Sequence, residues 1–297
     1  MQKKKEKEIN NVEQEKRNNY MANISAKDVY KLRDLTGLGV MDCKKALEEA
    51  EGDFDKAIEI LRKKGQKVAS NRADRSANEG IVITKISDDK SFGIIMMLNC
   101  ETDFVSKNEE FVNLANDISN IALQNKIKSL EDLLKATIND FTVEQSINNY
   151  MGKCGEKIQI SHYQYIEAPV VIGYNHHNGR VGALIGLSKS SEKAQELGHN
   201  LAMQIAAMNP IAIDKTDVSQ DVIDKELDVA RELARKEGKP EDLIEKIAQG
   251  RLNKFYQEST LLNQEYIMEN DKNVNDYMKS IDPEIKVTEF YRFALGS

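Results

Sequence analysis

The 297-residue chain lacks several features that mark common classes of protein. No apolar run approaches the ~20 residues a helix needs to cross a bilayer, which excludes a helical membrane protein. Excess positive charge is missing too. The net charge is −7, a poor match to a surface that neutralises phosphates, and no aromatic-rich strand motif offers an RNA platform. Cysteine is scarce: Cys43, Cys100 and Cys154 are widely spaced, with neither CxxC spacing nor a disulfide framework. That pattern points to a reducing compartment. The four histidines show no ligand-helix spacing, and neither common glycine-rich phosphate loop is present. What remains is a protein partner, or an enzyme with a small substrate.

An enzyme is hard to build from these residues. A thiol hydrolase would pair Cys100 or Cys154 with His162, His176 or His177, yet no nucleophile motif surrounds either cysteine. The adjacent His176 and His177 fall at an expected hairpin tip, where side chains point apart. His162 and His199 read as surface or satisfied core positions. Cys43 reads as a small buried hydrophobe, since only Lys44 and Lys45 lie near enough in sequence to activate it. The expectation is a protein with no catalytic residues, no metal and no cofactor of its own.

What is present is a helix-rich composition, 40% hydrophobic and 31% charged, that can form a real core. Residues 1–22 have almost nothing to bury and lack the apolar segment of a signal peptide; their glutamates do not fit a transit peptide. They read as a disordered, charged extension, with Met21 an equally good translation start, and the chain as cytoplasmic and bacterial rather than organellar.

Residues 23–66 punctuate themselves into three short helices. Ser25 and Asp28 form a capping pattern ahead of Val29, Leu32 and Leu35 as an inner face, and Gly37 and Gly39 break that helix. Cys43, Ala46, Leu47 and Ala50 line a second. Asp53 caps a third, carrying Phe54, Ala57, Ile58 and Leu61, with Gly65 as its expected terminator. This unit resembles a ubiquitin-associated-like domain, which implies a partner surface at Val40 and Met41. Spacing alone leaves Met41 as readily in the core. A polar linker, 67–78, follows.

From Glu79 the texture turns to strands. "GIVITKI" and "SFGIIMMLNC" flank a polar "SDDK" turn, and "NEEFVNLANDISNIALQN" follows as an amphipathic helix. About ninety residues later "PVVIGYNHH", a turn at Asn178-Gly179, "RVGALIGLSKS" and "SEKAQELGHNLAMQIAAMNP" repeat that order. Phe92-Gly93-Ile94-Ile95 aligns with Val181-Gly182-Ala183-Leu184. Two helical stretches (130–136, 143–151) and a strand in "KIQISHYQYIE" lie between the copies. The fold class is therefore α+β, with a duplicated core of two small antiparallel sheets backed by helices, residues 79–168 and 169–216. Residues 217–258 carry narrow apolar seams on either side of Gly238-Lys239-Pro240, an antiparallel helical hairpin that protrudes from the core. Residues 259–297 return through a helix to a final strand with Val287, Phe290 and Phe293.

The duplication supplies an internal control. The second copy passes from strand to helix through the short, polar "LSKSSEK", whereas the first reads "NCETDFVSKNEE". If Phe104 merely closed the sheet, the second copy would need something similar. Phe104 is therefore expected outside the core.

Taken together in this order, "TGLGVMDCKKALEEAEGD", "NCETDFVSKNEEF", the helical hairpin and the closing "FYRFALG" resemble bacterial-type elongation factor Ts over residues 23–297. "MDCKKAL" and "TDFV" are specific in combination. The resemblance implies a guanine-nucleotide exchange factor for elongation factor Tu in protein biosynthesis, bound to the partner in its GDP-bound and nucleotide-free states. It also implies no nucleic acid, no membrane, and either a one-to-one complex or a dimer of heterodimers. Thr102, Asp103, Phe104 and Val105 would form the loop that displaces the partner's Mg²⁺ and distorts its switch region. Val40, Met41 and Lys44 would touch its nucleotide-binding domain. Two departures accompany it: the charged residues 1–20, and an end at Ser297 where many relatives continue into a short helical module. A ubiquitin-type binding module and an RNA-binding translation accessory stand as alternatives.

Overall fold

The computed structural model describes residues 24–296; the reading of residues 1–22 falls outside them. The first unit is α1 (Ala26–Thr36), α2 (Val40–Glu49) and α3 (Phe54–Asn71). The Ser25–Asp28 capping box is formed, and Gly37 closes α1 in the left-handed region with its N–H on the Arg33 carbonyl. Asp53 caps α3 by accepting from Lys56 N at 3.1 Å. Leu32, Cys43, Leu47, Ala57 and Leu61 form the bundle core.

Two expectations fail here. Leu35 is exposed rather than on the inner face. Gly65 does not end α3; the helix runs on to Asn71, through part of the expected linker. The glycine is there for a crossing. A Cβ at Gly65 would lie 2.5 Å from the Asn148 carbonyl oxygen, and one at Gly152 would lie 3.4 Å from the Gly65 Cα. Both residues face α7 (Val143–Cys154) or belong to it, so the two backbones meet where a side chain would not fit.

The first half of the core holds β1 (Glu79–Ile86), β2 (Phe92–Cys100), α4 (Asp103–Ser106) and α5 (Glu109–Gln124). It continues with α6 (Leu130–Lys135), the two-residue strands β3 (Thr137–Ile138) and β4 (Phe141–Thr142), then α7 and β5 (Gln159–Glu167). The sheet is antiparallel in the order β1-β2-β5. The second half holds β6 (Val170–Asn175), β7 (Val181–Leu187) and α8 (Glu192–Met208), and β10 (Val287–Ala294) closes its sheet in the order β10-β7-β6. Between α8 and β10 come α9 (Gln220–Lys236), α10 (Glu241–Ser259), the small strands β8 (Glu265–Tyr266) and β9 (Glu269–Asn273), and α11 (Val274–Ile281).

Every residue of β2 is buried, because each of its faces meets a different layer. Ile94, Met96 and Leu98 pack on Phe111, Ala115 and Ile118 of α5. Ile95 and Met97 turn to the other sheet and meet Val171 and Leu184. The aligned glycines serve that sheet-to-sheet contact. A Cβ at Gly93 would fall 2.8 Å from Val171 Cγ1 and 3.0 Å from Leu184 Cδ1, and one at Gly182 would fall 2.8 Å from Val82 Cγ1. The outer edge of β1 is also taken up by the second half: Val82 N donates to the Gly179 carbonyl at 2.8 Å and Thr84 N to Asn175 Oδ1 at 2.8 Å.

α9 and α10 pair along Ala230, Ala234, Ile244, Ala248 and Leu252. Arg231 bonds Glu245, Arg235 bonds Glu241 and Arg251 bonds Glu237, so the two helices run in opposite directions. Among the described residues, no helix is long and apolar enough to cross a membrane.

Candidate functional site

Between β2 and α5 the chain makes a single helical turn, α4, and its two neighbouring apolar side chains go opposite ways. Val105 packs against the first core. Phe104 is 84% exposed, more than any other large hydrophobic residue among those described. Successive residues on a helix diverge by ~100°, so one turn can bury one side chain and present the next.

The base of the turn is held from both sides. Thr102 caps it, its Oγ1 accepting from Val105 N at 3.4 Å. The same Thr102 donates its N–H to Glu156 Oε2 at 3.0 Å and its hydroxyl to Glu156 Oε1 at 2.7 Å. Glu101 accepts two bonds of 2.8 Å from Arg72 just beyond α3, and a third of 2.7 Å from Lys157 N. Burial works to raise the Glu101 carboxyl, but the Lys157 N–H and the Arg72 guanidinium together hold it below the usual range. Lys157 Nζ in turn donates to the carbonyls of Ala73 and Arg75.

On the exposed side, Asp103 pairs with Lys107 at 2.7 Å, and that hydrogen bond lowers its carboxyl below the usual aspartate range. A cleft of about 420 Å³ separates Asp103 and Lys107 from Asn178 and Arg180 of the second half.

The other expected contact residues sit at the start of α2. Met41 is 62% exposed and Val40 is exposed beside it. Lys44 is exposed, with Glu48 at 3.7 Å. Tyr30 and Leu35 of α1 are exposed as well; sequence patterning passes over Tyr30 and places Leu35 on the inner face.

No thiol chemistry is favoured nearby. Burial raises all three cysteines, Cys100 to about 12, and a thiol raised that far is a poor nucleophile. His162 rests on Ser161 Oγ at 2.8 Å and lies at the surface, as does His199. The rings of His176 and His177 do not point apart as expected; their centroids are 4.2 Å from each other. Among the described residues, no three His, Cys, Asp or Glu side chains gather as a metal site.

The family model described as Elongation factor TS matches residues 101–297, beginning at Glu101 beside this turn. The Elongation factor Ts of Christiangramia forsetii is 49% identical over 276 residues, 93% of this chain and all of that protein. The chain belongs to the elongation factor Ts family. The elongation factor Ts of Flavobacterium psychrophilum is 46% identical over the same shares, and that of Chlorobaculum tepidum 43% over 288 aligned positions. As a member of the elongation factor Ts family, this chain is a translation elongation factor, and the most exposed large hydrophobic side chain among its described residues, Phe104, stands on a turn fixed at three points.

Four residues that hold the elongation factor Ts turn, Arg72, Glu101, Glu156 and Lys157, were not found by reading the sequence. Glu156 is 54 residues from Thr102, and no local spacing joins them.

Proposed function

We propose that the chain is the guanine-nucleotide exchange factor for elongation factor Tu, and that Thr102–Val105 is the part that drives GDP out. In this reading Phe104 enters an apolar gap between helices of the GTPase, and Asp103 beside it disturbs the polar network around the bound Mg²⁺. Val40, Met41 and Lys44, on a three-helix unit of ubiquitin-associated type (23–66), dock against the nucleotide-binding domain. The second half of the core braces against another part of the partner, so the GTPase can reload with GTP.

The observation that carries this reading is the 84% exposure of Phe104 on a one-turn helix whose base is bonded to Glu156, Arg72 and Lys157. Such a ring is a preformed wedge. Its burial in a partner is worth ~1.5–3 kcal/mol. An exchange factor binds the nucleotide-weak state of its partner more tightly, and by linkage nucleotide weakens its own binding by the same factor. A thousandfold coupling corresponds to ~4 kcal/mol, more than one phenyl ring supplies. The exposed Val40 and Met41 and the cleft beside Asn178 and Arg180 offer the additional area.

The test is release of labelled GDP from elongation factor Tu. The wild-type chain is expected to accelerate it and Phe104→Ala to lose most of that acceleration. No acceleration by the wild type overturns the proposal, and so does a Phe104→Ala variant as fast as the wild type. RNA retention by the chain at physiological salt would favour a nucleic-acid role instead.

A further inference from the structure

Resting on the exchange-factor reading above, we propose that Glu156 is a positioning residue for exchange. Its carboxylate sets the Thr102–Val105 turn in the shape that presents Phe104 before any partner arrives.

α4 has only four residues, far too few to hold a helical turn by its own hydrogen bonds. Its geometry is imposed from outside. Both oxygens of Glu156 are spent on Thr102, one on its N–H and one on its hydroxyl. The hydroxyl then accepts from Val105 N, so carboxylate, hydroxyl and helix start act in series. Glu156 itself is well anchored. Gly155, at φ 72°, closes α7 with its N–H on the Met151 carbonyl, which turns the chain back toward the loop. On the other side of Glu156, the N–H of Lys157 goes to Glu101.

A brace is needed because an exposed phenyl ring is drawn towards nearby apolar surface. Val105, one residue on, already packs against the first core. A slackened turn would let Phe104 follow it, and a ring buried in its own chain cannot enter another. The second copy, which carries no such ring, joins β7 to α8 through residues 188–191 and has nothing to brace.

The experiment measures GDP release from elongation factor Tu over a range of concentrations of the full chain, for wild type, Glu156→Ala, Glu156→Gln, Phe104→Ala and the Glu156→Ala/Phe104→Ala pair. Glu156→Ala is expected to lower the maximal rate roughly tenfold, as losing charge-assisted hydrogen bonds implies. The half-saturating concentration should move less than about twofold, because the α2 surface still docks. In the Phe104→Ala background the same change should cost clearly less than about tenfold, because most of what Glu156 positions for exchange is that ring. Glu156→Gln keeps one acceptor and the side-chain volume, so it should fall between wild type and Ala; it carries the test if the Ala variant does not fold.

Multiplicative losses in the double variant would overturn the positioning role, as would a lost half-saturation with an intact maximal rate. If wild type and Phe104→Ala behave as proposed while the Glu156 variants match wild type, only the role of Glu156 fails. If the wild type releases no GDP, both readings fail together.

Discussion

β2 and β7 are the central strands of two sheets built to the same plan, each with an antiparallel neighbour on either side and a long helix after it. They carry matching glycines where the sheets touch. They part at their C-terminal ends. Residues 188–191 take β7 directly into α8, whereas 101–108 leave β2, fold α4 and only then start α5. The third residue of α5 is Phe111 and the third of α8 is Ala194, both fully buried. The two halves therefore match at these core positions and diverge where the first carries an extra turn. The difference separates what the fold requires from what has been added to it.

The largest effect should come from erasing that difference. Replacing residues 101–108 by Ser188-Lys189-Ser190-Ser191 is expected to return GDP release to the rate of elongation factor Tu alone, while circular dichroism still reports both sheets and their helices. Retained exchange would break the comparison. A sharper version sets two nearby phenylalanines against each other. Phe111→Ala should destabilise by ~3–5 kcal/mol in urea unfolding, as expected for a fully buried ring, whereas Phe104→Ala should change stability by less than ~0.5 kcal/mol. Equal losses would mean that both rings serve the core. The smallest effect concerns Asp103. Lys107→Met should lift its carboxyl titration, followed by NMR, back towards ~3.9. Because the folded value is lowered, this pair's contribution to stability is present above the unfolded pKa and is lost as pH falls through the folded one. An unchanged titration would show that Lys107 does not hold Asp103.

Local punctuation was readable from sequence. Ser25, Gly37 and Asp53 act within a few residues of themselves, so their capping roles follow from the chain alone. The strands and the copied Gly93 and Gly182 were readable because apolar runs bounded by turns, and their repetition, are one-dimensional signals. Gly65 was misread for the opposite reason: a glycine that ends a helix and one that admits another backbone look alike until Asn148 and Gly152 are in place. Leu35 went wrong because two successive three-residue steps drift ~120° around a helix from Val29, which carries it off the buried stripe. β3 and β8, two residues each, are too short to show a period. At the site, Phe104 and Met41 could be singled out, but Glu156 could not, since a carboxylate that reaches 54 residues back leaves no trace in local pattern.

α3 contributes Ala57 and Leu61 to the bundle core and Val68 and Ala69 to the first core, and it ends beside Arg72, which grips Glu101. One unbroken rod of 18 residues, ~27 Å long, thus runs from the Met41 unit to the foot of the Phe104 turn and crosses α7 at Gly65. The gap between those two surfaces is a fixed gauge rather than a tether's reach. Under the proposed function, a GTPase that touched both would have to fit that caliper, and the strain of the encounter would fall on the partner.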